Sequence, residues 1–264
     1  MIIDTHAHLT SKEFKDDLDQ IINEAEQVFN VEKIISCATT YNDALNVVKI
    51  ASTYSMVYSA LGYYPEQLEL KNLKNDINRL NALLCDENVK KKIVAIGEIG
   101  LDLGLYNQIE LYIQQEYFTE QIELAIKHDL PIIIHCRDAY KPLIKILNNY
   151  KGKIKGVVHC FSGTLEDAKI LTDELGLYLG CGGILTYKKN EELRQIIKQV
   201  GMKYLIVETD APYLAPQKMR GKMNKPGFVY FNLENLASIF EVEFNEVEQI
   251  VYNNTRDLFK KIIR

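Results

Sequence analysis

The stretch Leu130-Pro131-Ile132-Ile133-Ile134-His135 is a short run of apolar, mostly β-branched residues that ends at a histidine. A strand that is apolar at consecutive positions suits a parallel sheet, because helices packed on both faces of such a sheet bury both sides of each strand. The stretch therefore predicts a strand in an α/β fold built from parallel βα units.

Similar apolar runs recur along the whole chain and alternate with stretches of helical spacing. The eight candidate strands are residues 1–5, 33–38, 56–62, 93–98, 130–135, 154–159, 177–180 and 204–208. The segments between them with helical spacing are 18–29, 43–53, 73–84, 115–127, 140–149, 165–175 and 191–200. Eight such units predict an α/β fold with a single (β/α)8 TIM barrel over residues 1–264, because no linker or low-complexity tract interrupts them.

An open, doubly wound sheet is the alternative arrangement of alternating strands and helices. Its usual mark is a glycine-rich turn after the first strand, where this chain has Asp4-Thr5-His6-Ala7-His8 instead. The pattern changes after Asp210, where prolines and glycines punctuate a long loop that could cover the barrel mouth. Two further helices are expected around 233–240 and 244–262.

The composition, 47% hydrophobic and 25% charged, excludes a disordered chain, and the net charge of −5 excludes a strongly basic protein that coats nucleic acid. A nuclease remains possible, because bound metal ions supply positive potential that the residue count omits. Five scattered cysteines without a CxxC pair indicate reduced thiols. We expect a cytoplasmic protein with no membrane segment, and the sequence leaves its oligomeric state open, with a monomer favoured.

Four of the five histidines fall at or near predicted strand ends. His6 and His8 lie two positions apart, so an extended backbone places both rings on the same side. His135 and His159 end the fifth and sixth candidate strands, and only His128 lies elsewhere, at a helix end. Because the carboxyl ends of parallel barrel strands meet at one mouth, the four imidazoles are expected to converge there.

Two acidic residues complete this set. Glu98 ends the fourth candidate strand and Asp210 follows the eighth, although either acid taken alone would be an ordinary solvated or capping residue. A carboxylate can bridge two cations, whereas a neutral imidazole offers one nitrogen to one cation. The combination predicts a site for two divalent metal ions, and its many imidazoles favour Zn²⁺ or Mn²⁺.

Together these motifs resemble the TatD family, and the resemblance spans nearly the whole chain. The matching stretches are 4–8 (DTHAH), 97–102 (GEIGLD), 131–139 (PIIIHCRDA), 159–163 (HCFSG) and 208–212 (ETDAP). The resemblance implies a TIM-barrel, metal-dependent hydrolase of the amidohydrolase-like superfamily, acting as a Mg²⁺-dependent deoxyribonuclease in the cytoplasm. Members of the family are often 3′ to 5′ exonucleases, so the resemblance also implies that single-stranded or frayed 3′ ends of DNA are the substrate.

The resemblance also implies roles for individual residues. His6, His8 and Asp210 would hold one metal ion, His135 and His159 the other, and Glu98 would bridge them. Asp210 would in addition orient the attacking water. Glu208 shares a strand face with Asp210, so it is either an outer partner or proton acceptor of the site, or a member of a structural ion pair.

Four residues are predicted to contact the substrate: Arg137, Tyr64, Arg220 and Asn224. Arg137 could bind a phosphate bidentately, and a rim ion pair with Asp138 or Glu98 is the alternative. Arg220 and Asn224 lie in a stretch similar to the family's Arg-Gly-Lys-x-Asn-x-Pro. Tyr64 stands where the family often has histidine, and a phenol can donate a hydrogen bond but cannot carry a positive charge.

A second function stays open, since the same scaffold and metals also serve hydrolysis of lactones, amides and aminoacyl esters. A third is a metal-binding scaffold with a vestigial site. Glu98 at the bridging position favours the nuclease by family analogy, because several amidohydrolases use a modified lysine there. Five tyrosines that follow predicted strands or lie in loops could stack on an unpaired base: Tyr63, Tyr64, Tyr106, Tyr187 and Tyr213. None of them is singled out, because ordinary packing accounts for most of the 16 tyrosines.

Overall fold

The structure is a computed structural model and describes residues 1–66 and 68–263. Within these ranges eight strands form one parallel sheet in the order β1 to β8, so that each strand pairs with its neighbours in sequence. The strands are β1 (Ile2–Ala7), β2 (Val31–Cys37), β3 (Val57–Leu61), β4 (Ile93–Asp102), β5 (Ile132–Arg137), β6 (Gly156–Val158), β7 (Tyr178–Cys181) and β8 (Leu205–Val207). The predicted (β/α)8 barrel is confirmed.

Helices alternate with the strands along the chain. They are α1 (Leu18–Gln27), α2 (Tyr41–Thr53), α3 (Leu73–Cys85), α4 (Leu111–Lys127), α5 (Tyr140–Leu147), α6 (Leu165–Lys169), α7 (Glu191–Val200), α8 (Val229–Phe240) and α9 (Phe244–Leu258). Some starts are encoded locally: the Thr164 hydroxyl accepts the Asp167 N–H while the Asp167 carboxylate accepts the Thr164 N–H, which is a capping box. None of the described helices is long and apolar enough to cross a membrane.

The barrel closes where β1 meets the segment that follows β8. The Asp210 N–H donates to the His6 carbonyl at 2.9 Å. Beside it, Asp4 accepts the Thr209 N–H at 2.9 Å and the Thr209 hydroxyl at 2.6 Å. Asp4 is fully buried, and this burial raises the pKa of its carboxyl well above the usual range. The seam is thus held by a buried side-chain clamp beside the backbone hydrogen bond.

The barrel interior changes from apolar to polar along the strands. Its lower layer is apolar and is closed from below by the C-terminal segment: Ile3, Ile35, Val94, Ile133, Val157, Ile206, Leu258, Phe259 and Ile262. Two positions beyond three of these residues stand His135, His159 and Glu208, and a period of two keeps them facing inward. The polar groups therefore gather at the carboxyl ends of the strands, above an apolar floor.

The prediction that Glu98 ends the fourth strand is wrong. β4 continues to Asp102 and pairs with β5 as far as Arg137, with a register shift that spans Glu98. Gly100 permits the close approach of the two strands, because a Cβ at this position would lie 2.0 Å from the His135 carbonyl oxygen. Glu98 consequently lies well inside the barrel and not at its rim.

The closure clamp can be tested with Thr209→Val. This change removes the hydroxyl donor from a buried carboxyl, so we expect the free energy of unfolding to fall by about 1–3 kcal/mol. Thr255→Val is the matched control, because that buried hydroxyl donates only to Val251 in its own helix. Urea unfolding measures both variants, and equal losses in the two would contradict the clamp.

Candidate metal centre

The structure brings the six predicted ligands together in the upper barrel. In the first group the Nε2 atoms of His6 and His8 lie 3.2 Å apart. Asp210 Oδ1 is 3.6 Å from the first of these nitrogens and 3.3 Å from the second. Glu98 Oε2 is 3.4 Å and 3.6 Å from the same two atoms. Four donor atoms, from β1 and the residue after it, from β4 and from the segment that follows β8, therefore surround one point.

The second group uses the other oxygen of Glu98. His135 Nδ1 and His159 Nε2 are 3.2 Å apart. Glu98 Oε1 lies 2.9 Å from the His135 nitrogen and 2.8 Å from the His159 nitrogen. One carboxylate thus faces two separate pairs of imidazoles, one pair with each oxygen.

These separations fit divalent cations. With metal–ligand bonds of about 2.1 Å, neighbouring ligand atoms around one cation lie roughly 3.0–3.4 Å apart, close to the distances in both groups. In addition, two neutral imidazole nitrogens whose lone pairs face each other at 3.2 Å repel unless a proton or cation lies between them. The first group could hold one ion and the second another, with Glu98 between them.

Backbone and side-chain acceptors set which nitrogen of each histidine is free. His8 Nδ1 lies 3.2 Å from the Cys37 carbonyl oxygen, which can only accept, so Nδ1 carries the hydrogen and Nε2 is left for a cation. His135 Nε2 lies 2.8 Å from Asp102 Oδ2, which leaves its Nδ1 free. Asp102 was not predicted as a site residue. The sequence feature that could have identified Asp102 is its position four residues after Glu98, which places both side chains on the same face of a strand.

The charges in the cluster attract one another. Burial opposes ionisation of Glu98, but the imidazoles of His159 and His6 outweigh it and hold the pKa of Glu98 well below its usual range. Burial also disfavours the charged form of His159, yet Glu98 and Glu208 raise the pKa of that histidine well above its usual value. Burial lowers the pKa of His6. The cluster therefore draws positive charge to Glu98, as a cation site does.

Glu208 lies behind His159 and does not line the cavity. It is fully buried, its Oε1 accepts the Cys160 N–H, and the same oxygen is 3.6 Å from His159 Nδ1. Gly180 makes room for it, because a Cβ there would stand 2.5 Å from Glu208 Oε2. Of the two roles left open, this geometry favours an outer partner that orients the His159 ring.

An open cavity of about 670 Å³ leads to the two donor groups. Its residues come from the loops that follow several strands: His8, Thr10, Ser11, Thr39, Thr40, Asp43, Tyr64, Glu66, Glu98, His135, Arg137, His159, Asp210, Tyr213 and Leu214. Five of the six candidate ligands, all except His6, thus reach a space large enough for part of a substrate.

Two of the predicted substrate contacts line this cavity. Tyr64 donates its hydroxyl hydrogen to Asp102 at 3.1 Å. Arg137 is 57% exposed and its Nη1 lies 3.7 Å from Asp102 Oδ2. The acidic partner of Arg137 along the described chain is therefore Asp102, and the expected alternatives, Asp138 and Glu98, are wrong.

The other two predicted contacts do not line the cavity. Asn224 is 0% exposed and donates to the carbonyls of Thr209 and Tyr213 at 2.8 and 2.6 Å, so the prediction of a substrate contact is wrong for this residue. Its amide fastens the loop that follows β8. Arg220 is exposed and lies over the ring of Tyr187, with its guanidinium carbon 5.3 Å from the ring centroid.

Comparison with known proteins agrees with this site. A family model described as "TatD related DNase" matches residues 3–260. The chain is 33% identical over 261 residues to the uncharacterized metal-dependent hydrolase YabD of Bacillus subtilis, covering 98% of this chain and 99% of that protein.

Solved structures show the same relationship. The crystal structure of YjjV, a TatD homologue from Escherichia coli, superposes with a TM-score of 0.89 at 33% identity over 98% of both chains. A TatD family hydrolase from Entamoeba histolytica gives a TM-score of 0.80 at 25% identity, covering 98% of this chain and 97% of that one. The chain therefore belongs to the TatD family of metal-dependent hydrolases.

Proposed function

We propose that this protein hydrolyses phosphodiester bonds of DNA with two divalent cations held on either side of Glu98. The observation that carries the proposal is the buried carboxylate whose two oxygens face separate imidazole pairs, next to an open cavity. The family description, "TatD related DNase", supports DNA as the substrate. From the family resemblance we further propose removal of nucleotides from single-stranded or frayed 3′ ends, in the cytoplasm.

The donor set also indicates how the cations would be held. His6, His8 and Asp210 would bind one, His135 and His159 the other, and Glu98 both. When bound, such a pair lowers the pKa of a water molecule and polarises the phosphoryl oxygen under attack. We propose Mg²⁺ as the functional ion, while the imidazole nitrogens also suit Mn²⁺ and Zn²⁺.

We propose that Asp210 orients the attacking water. Burial opposes its ionisation, but the neighbouring imidazoles of His8 and His6 outweigh it and lower the pKa of Asp210. The side chain lines the cavity, so its carboxylate can accept a hydrogen bond from a water molecule there. An ionised acid in this position can hold the water and take up its proton.

Asp102 connects the substrate side of the cavity to the second group of donors. Its Oδ2 accepts from Tyr64 and His135, and its Oδ1 accepts the Gly104 N–H at 2.7 Å. The carboxylate therefore fixes the tautomer of His135 and holds the Tyr64 hydroxyl beside it. Tyr64, although it replaces the family's usual histidine, supplies a hydrogen bond in this chain.

Arg137 favours a phosphodiester over a carboxylic ester as the substrate. Its guanidinium lines the cavity and is more than half exposed, so an anionic phosphate can reach it. A guanidinium pairs bidentately with a phosphate, whereas a neutral lactone or amide would leave that charge unused. Hydrolysis of acyl or amide bonds is the alternative function, and an assay of DNA beside carboxylic esters distinguishes the two.

That experiment compares Glu98→Gln with wild type on 3′-labelled single-stranded DNA in Mg²⁺, Mn²⁺ or EDTA. The amide cannot bridge two cations as a carboxylate does, so we expect kcat/KM to fall by at least about a hundredfold. Glu66→Gln is the control, because Glu66 lines the same cavity outside the donor groups. A wild-type enzyme that leaves DNA intact but hydrolyses carboxylic esters with metal would overturn the nuclease assignment.

A second prediction concerns Asp102→Asn. The amide can turn its NH₂ toward His135 Nε2 and so move the ring hydrogen to Nδ1, which would then lose its lone pair. We expect Mn²⁺ affinity, measured by titration calorimetry, to fall about 10- to 100-fold. Asp138→Asn is the matched control, since Asp138 is exposed and has φ 54°, a conformation that asparagine tolerates. Unchanged affinity in Asp102→Asn would contradict the role of Asp102.

A further inference from the structure

Exposed apolar side chains are concentrated at the mouth of the barrel. Eleven large apolar side chains of the described residues are exposed, and five of these lie in two loops at the carboxyl ends of the strands. The loop after β4 carries Leu103, Leu105 and Tyr106, and the loop after β8 carries Tyr213 and Leu214. Leu105 and Tyr106 are the most exposed of the eleven, at 98% and 92%. Neighbouring apolar side chains exposed within one loop are typical of a surface that contacts a ligand or partner.

The two loops stand on opposite sides of the barrel mouth. In a ring of eight strands ordered β1 to β8, β4 and β8 are four positions apart and so lie across the barrel from each other. The candidate metal ligands lie between them. Tyr213 and Leu214 line the cavity directly, and the Tyr213 ring meets the His8 ring edge-on, with centroids 6.0 Å apart.

Both loops are pinned by hydrogen bonds, so their tips are presented to solvent in a defined place. On the β4 side, Asn107 donates to the carbonyls of Pro65 and Asp102 at 2.9 and 3.1 Å. On the β8 side, the Tyr213 N–H donates to the Asp210 carbonyl at 2.8 Å, and the buried Asn224 amide holds the Tyr213 carbonyl. Both tips are therefore exposed although their loops are locally ordered.

The β4 loop also combines an aromatic ring with a cation. Gly104 packs against Arg137, because a Cβ at Gly104 would lie 2.6 Å from Arg137 Cδ. Tyr106 follows two residues later. A nucleotide offers a planar base and an anionic phosphate a short distance apart, so this side of the mouth matches both parts of it.

We infer that Tyr106 and Tyr213 stack on bases at opposite sides of the scissile phosphodiester, so that the enzyme selects an unpaired strand. The inference rests on the proposed function and deepens it. A duplex hides the faces of its bases in its own stack, whereas an unpaired strand crossing the cavity can offer one base to each loop. The selectivity for unpaired DNA then comes from the two tyrosines, and the hydrolysis from the groups between them.

The test compares two substrates: a single-stranded oligonucleotide and methyl p-nitrophenyl phosphate, a diester without a base. For each variant the ratio of the two kcat/KM values is measured. Tyr106→Ala and Tyr213→Ala are each expected to lower this ratio about tenfold or more, and Tyr106→Phe to keep it, because the ring and not the hydroxyl stacks. Tyr112→Ala is the control, since Tyr112 is 51% exposed against 53% for Tyr213 but lies in α4, outside both loops.

A second measurement locates the contacts. For the wild-type enzyme, removing the base at one position beside the cleaved bond should lower kcat/KM by the same factor as the alanine substitution does. The alanine variant of the tyrosine that contacts that base should cleave the abasic and the intact oligonucleotide with equal kcat/KM. Unchanged ratios in both alanine variants, with DNA still cleaved, overturn this inference alone. The inference is also overturned if the wild-type protein is a dimer that Tyr106→Ala dissociates while the ratio of the two kcat/KM values is unchanged. In that case the exposed loop after β4 contacts a second copy of the chain. A wild-type enzyme that cleaves no oligonucleotide overturns the proposed function together with the inference.

Discussion

The site is organised around the buried carboxylate of Glu98. An ionised group inside a protein is stable only when it is paired, and Glu98 is paired on both of its oxygens. The partners come from strands far apart in sequence, so the barrel has to close before the charge is compensated. Because each oxygen faces its own pair of imidazoles, the same arrangement that stabilises the acid also separates the two groups of candidate metal ligands.

The barrel separates the parts that stabilise it from the parts that perform chemistry. Its lower layer is apolar and is sealed by Leu258 and Phe259 of the C-terminal segment. Its upper layer holds polar groups whose hydrogen bonding is incomplete in the described residues, such as Glu208 Oε2 and His159 Nδ1. A polar layer of this kind costs stability, and the apolar floor beneath it offsets that cost.

The residues around the candidate ligands determine how those ligands are presented to the cavity. The Cys37 carbonyl and the Asp102 carboxylate decide which nitrogen of His8 and His135 is available. The clamp between Asp4 and Thr209 holds the segment that carries Asp210 against β1. The exposed loops outside this shell are hydrogen-bonded to the same segments, so the rim keeps a defined position relative to the candidate metal ligands.

The sequence alone determined the fold and predicted which residues gather at the candidate metal site. The order of apolar runs indicates eight βα units, and the period of two along a strand with the convergence of strand ends at one mouth predicts that His6, His8, His135 and His159 meet. Only the tertiary structure decided that Glu98 lies within β4, that Asp102 orients His135, and that Asn224 is buried. It also showed that Tyr106 and Tyr213 are exposed at the barrel mouth. The reason is that spacing along one strand is local, whereas a ring tautomer, an ion-pair partner or the exposure of a side chain depends on residues that other strands and loops bring beside it.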